Sequence, residues 1–294
     1  MGCCQKKQVT ENPSAPAGEK KQAELGVHAA ASHDPEVHAF ASNQPKHVPE
    51  NLASAAVAGP SVNQISPAKP AAASDKSKSP FSLKEVLDVL NDVRKNPSKY
   101  VSVIQTKYIS DLDSSGVLKS KRLKTHEGLK VFQETQEFLK KAKSMPPLSL
   151  DCGLTAAAYL HSCYMSEKDN LDHTGRGGSD VKKRINEFGK IEGQGVIGNA
   201  ENILFTFNYD AVDFILNFIV DDGVPNRGHR MNIFRDGVSK VGLGVKQPPA
   251  KHKHWYFTMD FAYDTYKGQK SMIPGNVLEE SGLKDYSQET GINF

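Results

Sequence analysis

Between Met1 and Pro80 the chain holds one aromatic residue, Phe40, and is otherwise dominated by Ala, Ser, Pro, Lys, Gln, Glu and His. Such a stretch cannot bury enough apolar surface to offset the entropy of ordering its backbone, so it is expected to be disordered. Folding is thereby confined to residues 81–294, enough for one core of ordinary domain size. The expected organisation is a tail over 1–80, a domain over 81–268 and a polar extension over 269–294. The net charge is +3, with no long block of one sign, which argues against a nucleic-acid partner.

The first residues read as an address. Met1 is followed by Gly2, Cys3 and Cys4, then Gln5, Lys6 and Lys7, without the apolar run of a secretory signal. No apolar segment approaches membrane-spanning length. Removal of Met1 would expose Gly2 for myristoylation, and Cys3 and Cys4 are placed for palmitoylation, although the myristoylation pattern prefers Ser or Thr where this chain has Lys6. Two acyl chains anchor stably where one does not, and Lys6 and Lys7 favour an anionic leaflet. The expected location is the cytoplasmic face of a membrane. The tail then acts as a tether, ranging over about 5–6 Å times the square root of its residue number. An unmodified terminus with two exposed thiols is the alternative.

The folded block opens on Ser82-Leu83-Lys84-Glu85, a capping box, followed by Val86, Leu87, Leu90 and Val93 at helical spacing. Asn96-Pro97 ends or bends that helix, and Tyr100 to Ile109 resumes it. Residues 110–125 read as a polar loop and Glu127 to Lys143 as an amphipathic helix stopped by Pro146-Pro147. Leu148 to Lys168 is the strongest helical segment, with Asp151 as N-cap and the Ala156-Ala157-Ala158 run permitting close packing. Asp180 to Phe188 is a short helix, Gly193 to Gly198 a flexible connector, and Asp210 to Val220 an apolar helix. Val241 to Val245 and Trp255 to Tyr263 alternate like the arms of a hairpin, and the segment after Gly268 is expected to be partly loose. Cys152 and Cys163 lie eleven residues apart on one helix. That is about 16 Å, beyond the roughly 7 Å a disulfide spans, so the core is expected to lack disulfides, as in a reducing compartment. Helices with strands late in the chain indicate an α+β fold with an antiparallel sheet.

Three short strings carry chemistry: Leu171-Asp172-His173-Thr174, Ala200-Glu201-Asn202-Ile203 and Gly228-His229-Arg230. Two histidines and a glutamate are the inventory of a divalent-metal site or an acid/base site. The run Asp221 to Phe234, containing Gly228-His229-Arg230-Met231-Asn232-Ile233, resembles the Gly-His-Arg-x-Asn-Ile run of bacterial-type CAP proteins, the superfamily of cysteine-rich secretory proteins, antigen 5 and pathogenesis-related proteins. Ala200-Glu201-Asn202-Ile203 resembles that family's Gly-Glu-Asn-Ile motif, with Ala200 in place of glycine, and Leu154 to His173 resembles its helix ending in a histidine.

The resemblance implies an α-β-α sandwich with a central antiparallel sheet and a cleft lined by two histidines and two acids. Carried over by motif, His173, Glu201 and His229 are three members of the tetrad. The second acid falls where this chain offers Asp221 and Asp222. Residues one apart on a helix point about 100° apart, so only one faces the cleft, and Asp222 is preferred. Two imidazoles with carboxylates or water suit Zn²⁺. The family is linked to lipid or sterol ligands and to protein partners. No Gly-x-Ser-x-Gly or His-Glu-x-x-His motif is present, so no reaction is assigned. The expectation is a membrane-tethered domain binding a ligand, with lipid or sterol as the candidate class. The alternatives are a metal-assisted hydrolase using the same tetrad and a metal-free structural or protein-interaction module.

Overall fold

A computed structural model describes residues 82–121, 123–192, 200–206, 210–246 and 255–294. The acylation residues Gly2, Cys3 and Cys4, the tail and the Gly193–Gly198 connector lie outside them. Helix α1 (Leu83–Lys95) starts at the expected capping box: the Ser82 hydroxyl accepts from Glu85 N, and the Glu85 carboxylate accepts from Ser82 N at 2.8 Å. Its Val86, Leu87, Leu90 and Val93 are buried. After Pro97 the helix resumes as α2 (Tyr100–Ile104) and continues as a π-helical turn to Ile109. The expected polar loop contains a small antiparallel pair, β1 (Val117–Leu118) with β2 (Leu123–Lys124), before α3 (Leu129–Lys141).

Leu148 to Leu150 is not helical. It runs into a two-residue strand, β3 (Ser149–Leu150), and α4 (Cys152–Lys168) begins where the Asp151 carboxylate caps Gly153 N and Leu154 N. Then come α5 (Val181–Asn186), β4 (Gly189–Ile191), β5 (Ala200–Thr206), α6 (Ala211–Val220) and α7 (Gly228–Ile233). The chain continues through β6 (Lys240–Lys246), β7 (Trp255–Ala262), β8 (Tyr266–Gly268), α8 (Gly275–Glu280) and α9 (Leu283–Thr290). The C-terminal segment is polar by composition yet amphipathic. Val277, Leu283 and Tyr286 are buried, and the Tyr159 hydroxyl donates to Glu280 at 2.7 Å, so this segment is packed rather than loose.

The main sheet has the order β3-β6-β7-β5. β6 pairs antiparallel with β7, as the alternation predicts, and β7 with β5; only the short β3 runs parallel to its neighbour. On one face Gly242 and Gly244 let the backbone of α4 lie directly on β6. On the other, Phe257 of β7 packs against Phe214 and Phe218 of α6, ring centroids 4.7 and 5.9 Å apart. The result is helix, sheet, helix. Both described cysteines, Cys152 and Cys163, are free thiols.

Candidate functional site

Successive side chains of a strand point to opposite faces. The register pairs Gly242 with Asp260 and Asp260 with Glu201, which places both carboxyls on the α4 side of the sheet. Glu201 is buried and holds the partly exposed His173, Nδ1 to Oε1 2.7 Å. Its other oxygen accepts from Arg184 Nη2 of α5 at 2.5 Å. Arg184 Nη1 also donates to the backbone carbonyls of His173 (2.9 Å) and Ser179 (2.8 Å). His161 of α4 stands 3.8 Å from the same carboxylate. Burial alone would raise the Glu201 pKa, but His161, the His173 hydrogen bond and Arg184 more than offset it and hold the carboxyl well below its usual range. Burial, and then the neighbouring Glu201, push Asp260 well above that range, and burial lowers His161.

The second histidine is held where α6 gives way to α7. α6 ends at Val220, and Asp221 takes a left-handed conformation with φ 56°. Its carboxylate meets His229 Nδ1 at 2.6 Å and accepts from His229 N (3.0 Å) and Arg230 N (3.3 Å), capping α7. Asp222, preferred from the sequence, instead accepts from His126 N and Glu127 N at 2.7 and 2.8 Å, and burial raises its pKa. The acid beside His229 is therefore Asp221. The helical phase does not apply there because the helix has already ended. Arg227 braces the turn by a two-pronged pairing with Glu127 (2.6 and 2.7 Å) and a bond to the Asp221 carbonyl at 2.8 Å.

The two pairs join through consecutive residues of β5. Glu201 faces α4, whereas Asn202 faces the opposite side, where its amide donates to the His229 carbonyl at 3.1 Å and accepts from Asn232 at 2.8 Å. Ala200 in place of glycine leaves the register intact, Ala200 opposite Phe261 and Glu201 opposite Asp260. The two imidazoles share one property. Each Nδ1 is bound to a carboxylate, and each Nε2 is buried with no hydrogen-bond partner. A carboxylate at Nδ1 fixes the proton there and leaves the Nε2 lone pair free, the arrangement that metal-binding imidazoles use. Among the described residues no three His, Cys, Asp or Glu side chains converge as a ligand set. Glu201 and Asp221 are seated as partners of the imidazoles.

Sequence reasoning missed Arg184, His161 and Asp260. Asp260 had a signal, a lone acid in an otherwise apolar strand, Trp255–Ala262. The role of Arg184 had none, because its partners lie on other segments.

The sequence matches the model of the CAP, or cysteine-rich secretory protein, family over residues 87–261. The chain belongs to that family. No curated protein matches it. Similar solved structures include an extracellular SCP-domain protein of Bacillus anthracis (19% identity, TM-score 0.32, 46% of this chain and 39% of that one). Another is an outer surface protein of Borrelia burgdorferi (16% identity, TM-score 0.33, 48% of this chain and 96% of that one). A third is described as NaASP2 with Zn²⁺ (13% identity, TM-score 0.30, 70% of this chain and 97% of that one). The match to the Bacillus protein thus covers well under half of that protein's length.

Proposed function

We propose that this is a membrane-tethered CAP-domain protein that binds a lipid or sterol ligand beside its two imidazoles, which can hold a divalent metal, zinc above all. The observation that carries the metal reading is the pair of buried, partner-free Nε2 atoms of His173 and His229, each on a ring fixed by a carboxylate. Unpartnered buried nitrogens cost stability unless something binds them. Two imidazoles would leave coordination positions open to ligand or water. A bound zinc ion would supply Lewis acidity toward a ligand oxygen or water, the basis of the hydrolase alternative.

Calorimetric titration with Zn²⁺ tests this. It uses the full chain with the tail histidines His28, His33, His38 and His47 changed to Ala, since they would bind metal themselves. The wild-type site is expected to bind, and His173→Ala with His229→Ala to abolish that binding. Equal binding by the double variant would place the metal elsewhere. No binding at all would favour the metal-free module, with the two pairs serving only to brace the fold.

The tether rests on Gly2, Cys3 and Cys4 with Lys6 and Lys7 behind them. No described helix is long and apolar enough to cross a membrane. Gly2→Ala is expected to move the protein from the membrane to the soluble fraction on cell fractionation. Unchanged membrane association would rule out the acyl anchor.

A further inference from the structure

We propose that Arg184 is the positioning residue of the site, locking the His173 ring and its loop onto β5 so that Nε2 is presented in one place and one tautomer. The inference rests on the metal reading above and adds the device that prepares it.

His173 belongs to no helix or strand and its side chain is partly exposed, so packing alone does not fix it. Its imidazole is set by Glu201, and its backbone by Arg184. One guanidinium therefore holds both ends of the residue: Nη2 grips the carboxylate that orients the ring, and Nη1 grips the carbonyl of the residue that carries it. The third contact, to the Ser179 carbonyl, closes the loop back toward α5. Arg184 is itself buried. A guanidinium presents its donors in a rigid fork, whereas a lysine ammonium is a point charge on a flexible stem. A lysine ammonium could take the place of Nη1 at the two carbonyls or of Nη2 at Glu201, but its single nitrogen could not take both places at the same time.

Glu201 has a competing neighbour. His161 Nε2 lies 3.8 Å from the oxygen that His173 uses. A carboxylate released from Arg184 could turn toward His161, leaving His173 Nδ1 without its acceptor. The His173 ring would then relax toward the tautomer with its proton on Nε2, which cannot bind a metal. The pair at His229 has its own acid, Asp221, and does not touch Arg184.

The test uses the full chain with the four tail histidines changed to Ala, and compares Arg184→Lys, Arg184→Gln and Arg176→Gln with it. Arg176 pairs with the exposed Glu167 and lies over the Tyr164 ring, away from Glu201, and serves as the control. Two readouts are taken: Zn²⁺ affinity by calorimetry, and imidazole ¹⁵N shifts of the metal-free protein. Both Arg184 variants are expected to bind Zn²⁺ about 10- to 100-fold more weakly. The His173 shifts should move toward the Nε2-protonated tautomer, while His229 and the Arg176 variant stay as in wild type. An unchanged His173 tautomer in either folded Arg184 variant would overturn the proposal. So would unfolding of both variants, which would make Arg184 a strut of the whole domain. If wild type does not bind Zn²⁺, the metal reading fails by itself, and the tautomer shift in metal-free protein still decides the role of Arg184.

Discussion

Gly244→Ala is expected to detach α4 from the sheet and cost the domain at least about 3 kcal/mol, at or beyond the upper end of ordinary overpacking. A Cβ at this position would lie 2.2 Å from the backbone carbonyl carbon of Ala158 and from Tyr159 N. At Gly242 it would lie 2.1 Å from the carbonyl carbon of Leu154. The obstacles are helix backbone atoms, which cannot rotate away as a side chain can. The whole helix would have to rise. That would break the bond from the Ser162 hydroxyl to the Gly244 carbonyl (3.0 Å) and its contact with Thr258 (2.8 Å). Domains are stable by about 5–15 kcal/mol in total, so the loss would show as a large fall in the urea midpoint. Gly275→Ala is the matched control: nothing lies within 4 Å of its would-be Cβ, and it should change stability by less than about 1 kcal/mol. A Gly244→Ala midpoint close to wild type would mean that α4 is not seated on β6. The effect reaches the site as well, because α4 carries His161 and leads directly to His173.

What was legible in the sequence had local causes. Ser82 with Glu85, Asp151 ahead of the alanine run, and the alternation of β6 and β7 are signals complete within a few residues, and each gave its element close to the observed position. Strand β5 was not legible. Its residues are buried on both faces, so Ala200 to Thr206 lacks the polar alternation of a half-exposed strand, and Glu201 reads as readily as a turn or helix-start acid. His173, Glu201 and His229 stood out in their strings, and the structure pairs His173 with Glu201 and His229 with Asp221. The guanidinium that holds Glu201 was not legible, because Arg184 meets it only once α5 and β5 are assembled. The second acid failed for a narrower reason. The helical argument was applied to Asp221 and Asp222, both of which lie beyond the true end of α6 at Val220, where Asp221 has already turned left-handed.

That one residue separates two variants of the same chemistry. Asp221→Asn is expected to weaken Zn²⁺ binding about 10- to 100-fold, and Asp222→Asn to leave it unchanged. Asparagine preserves size and tolerates the left-handed conformation, so the Asp221 turn can still form. Its amide oxygen can still accept from His229 N and Arg230 N, where the carboxylate now caps α7. Its other atom, however, becomes an N–H donor facing His229 Nδ1, now 2.6 Å from a carboxylate oxygen. Two N–H groups cannot face each other there. The ring must shed the Nδ1 proton and carry it on Nε2, which closes the lone pair to metal. Imidazole ¹⁵N shifts of the metal-free protein should report that exchange at His229 and leave His173 untouched. Asp222 lies elsewhere in the circuit. Its carboxylate receives His126 N and Glu127 N, so the asparagine variant alters the approach to α3 and not either imidazole. Both Asp222 oxygens accept from backbone N–H groups, so the asparagine amide keeps one of these bonds and loses the other, while removing the buried charge relieves a desolvation cost that partly offsets that loss. A loss of Zn²⁺ binding in Asp222→Asn with none in Asp221→Asn would reverse the assignment and return the second acid to Asp222.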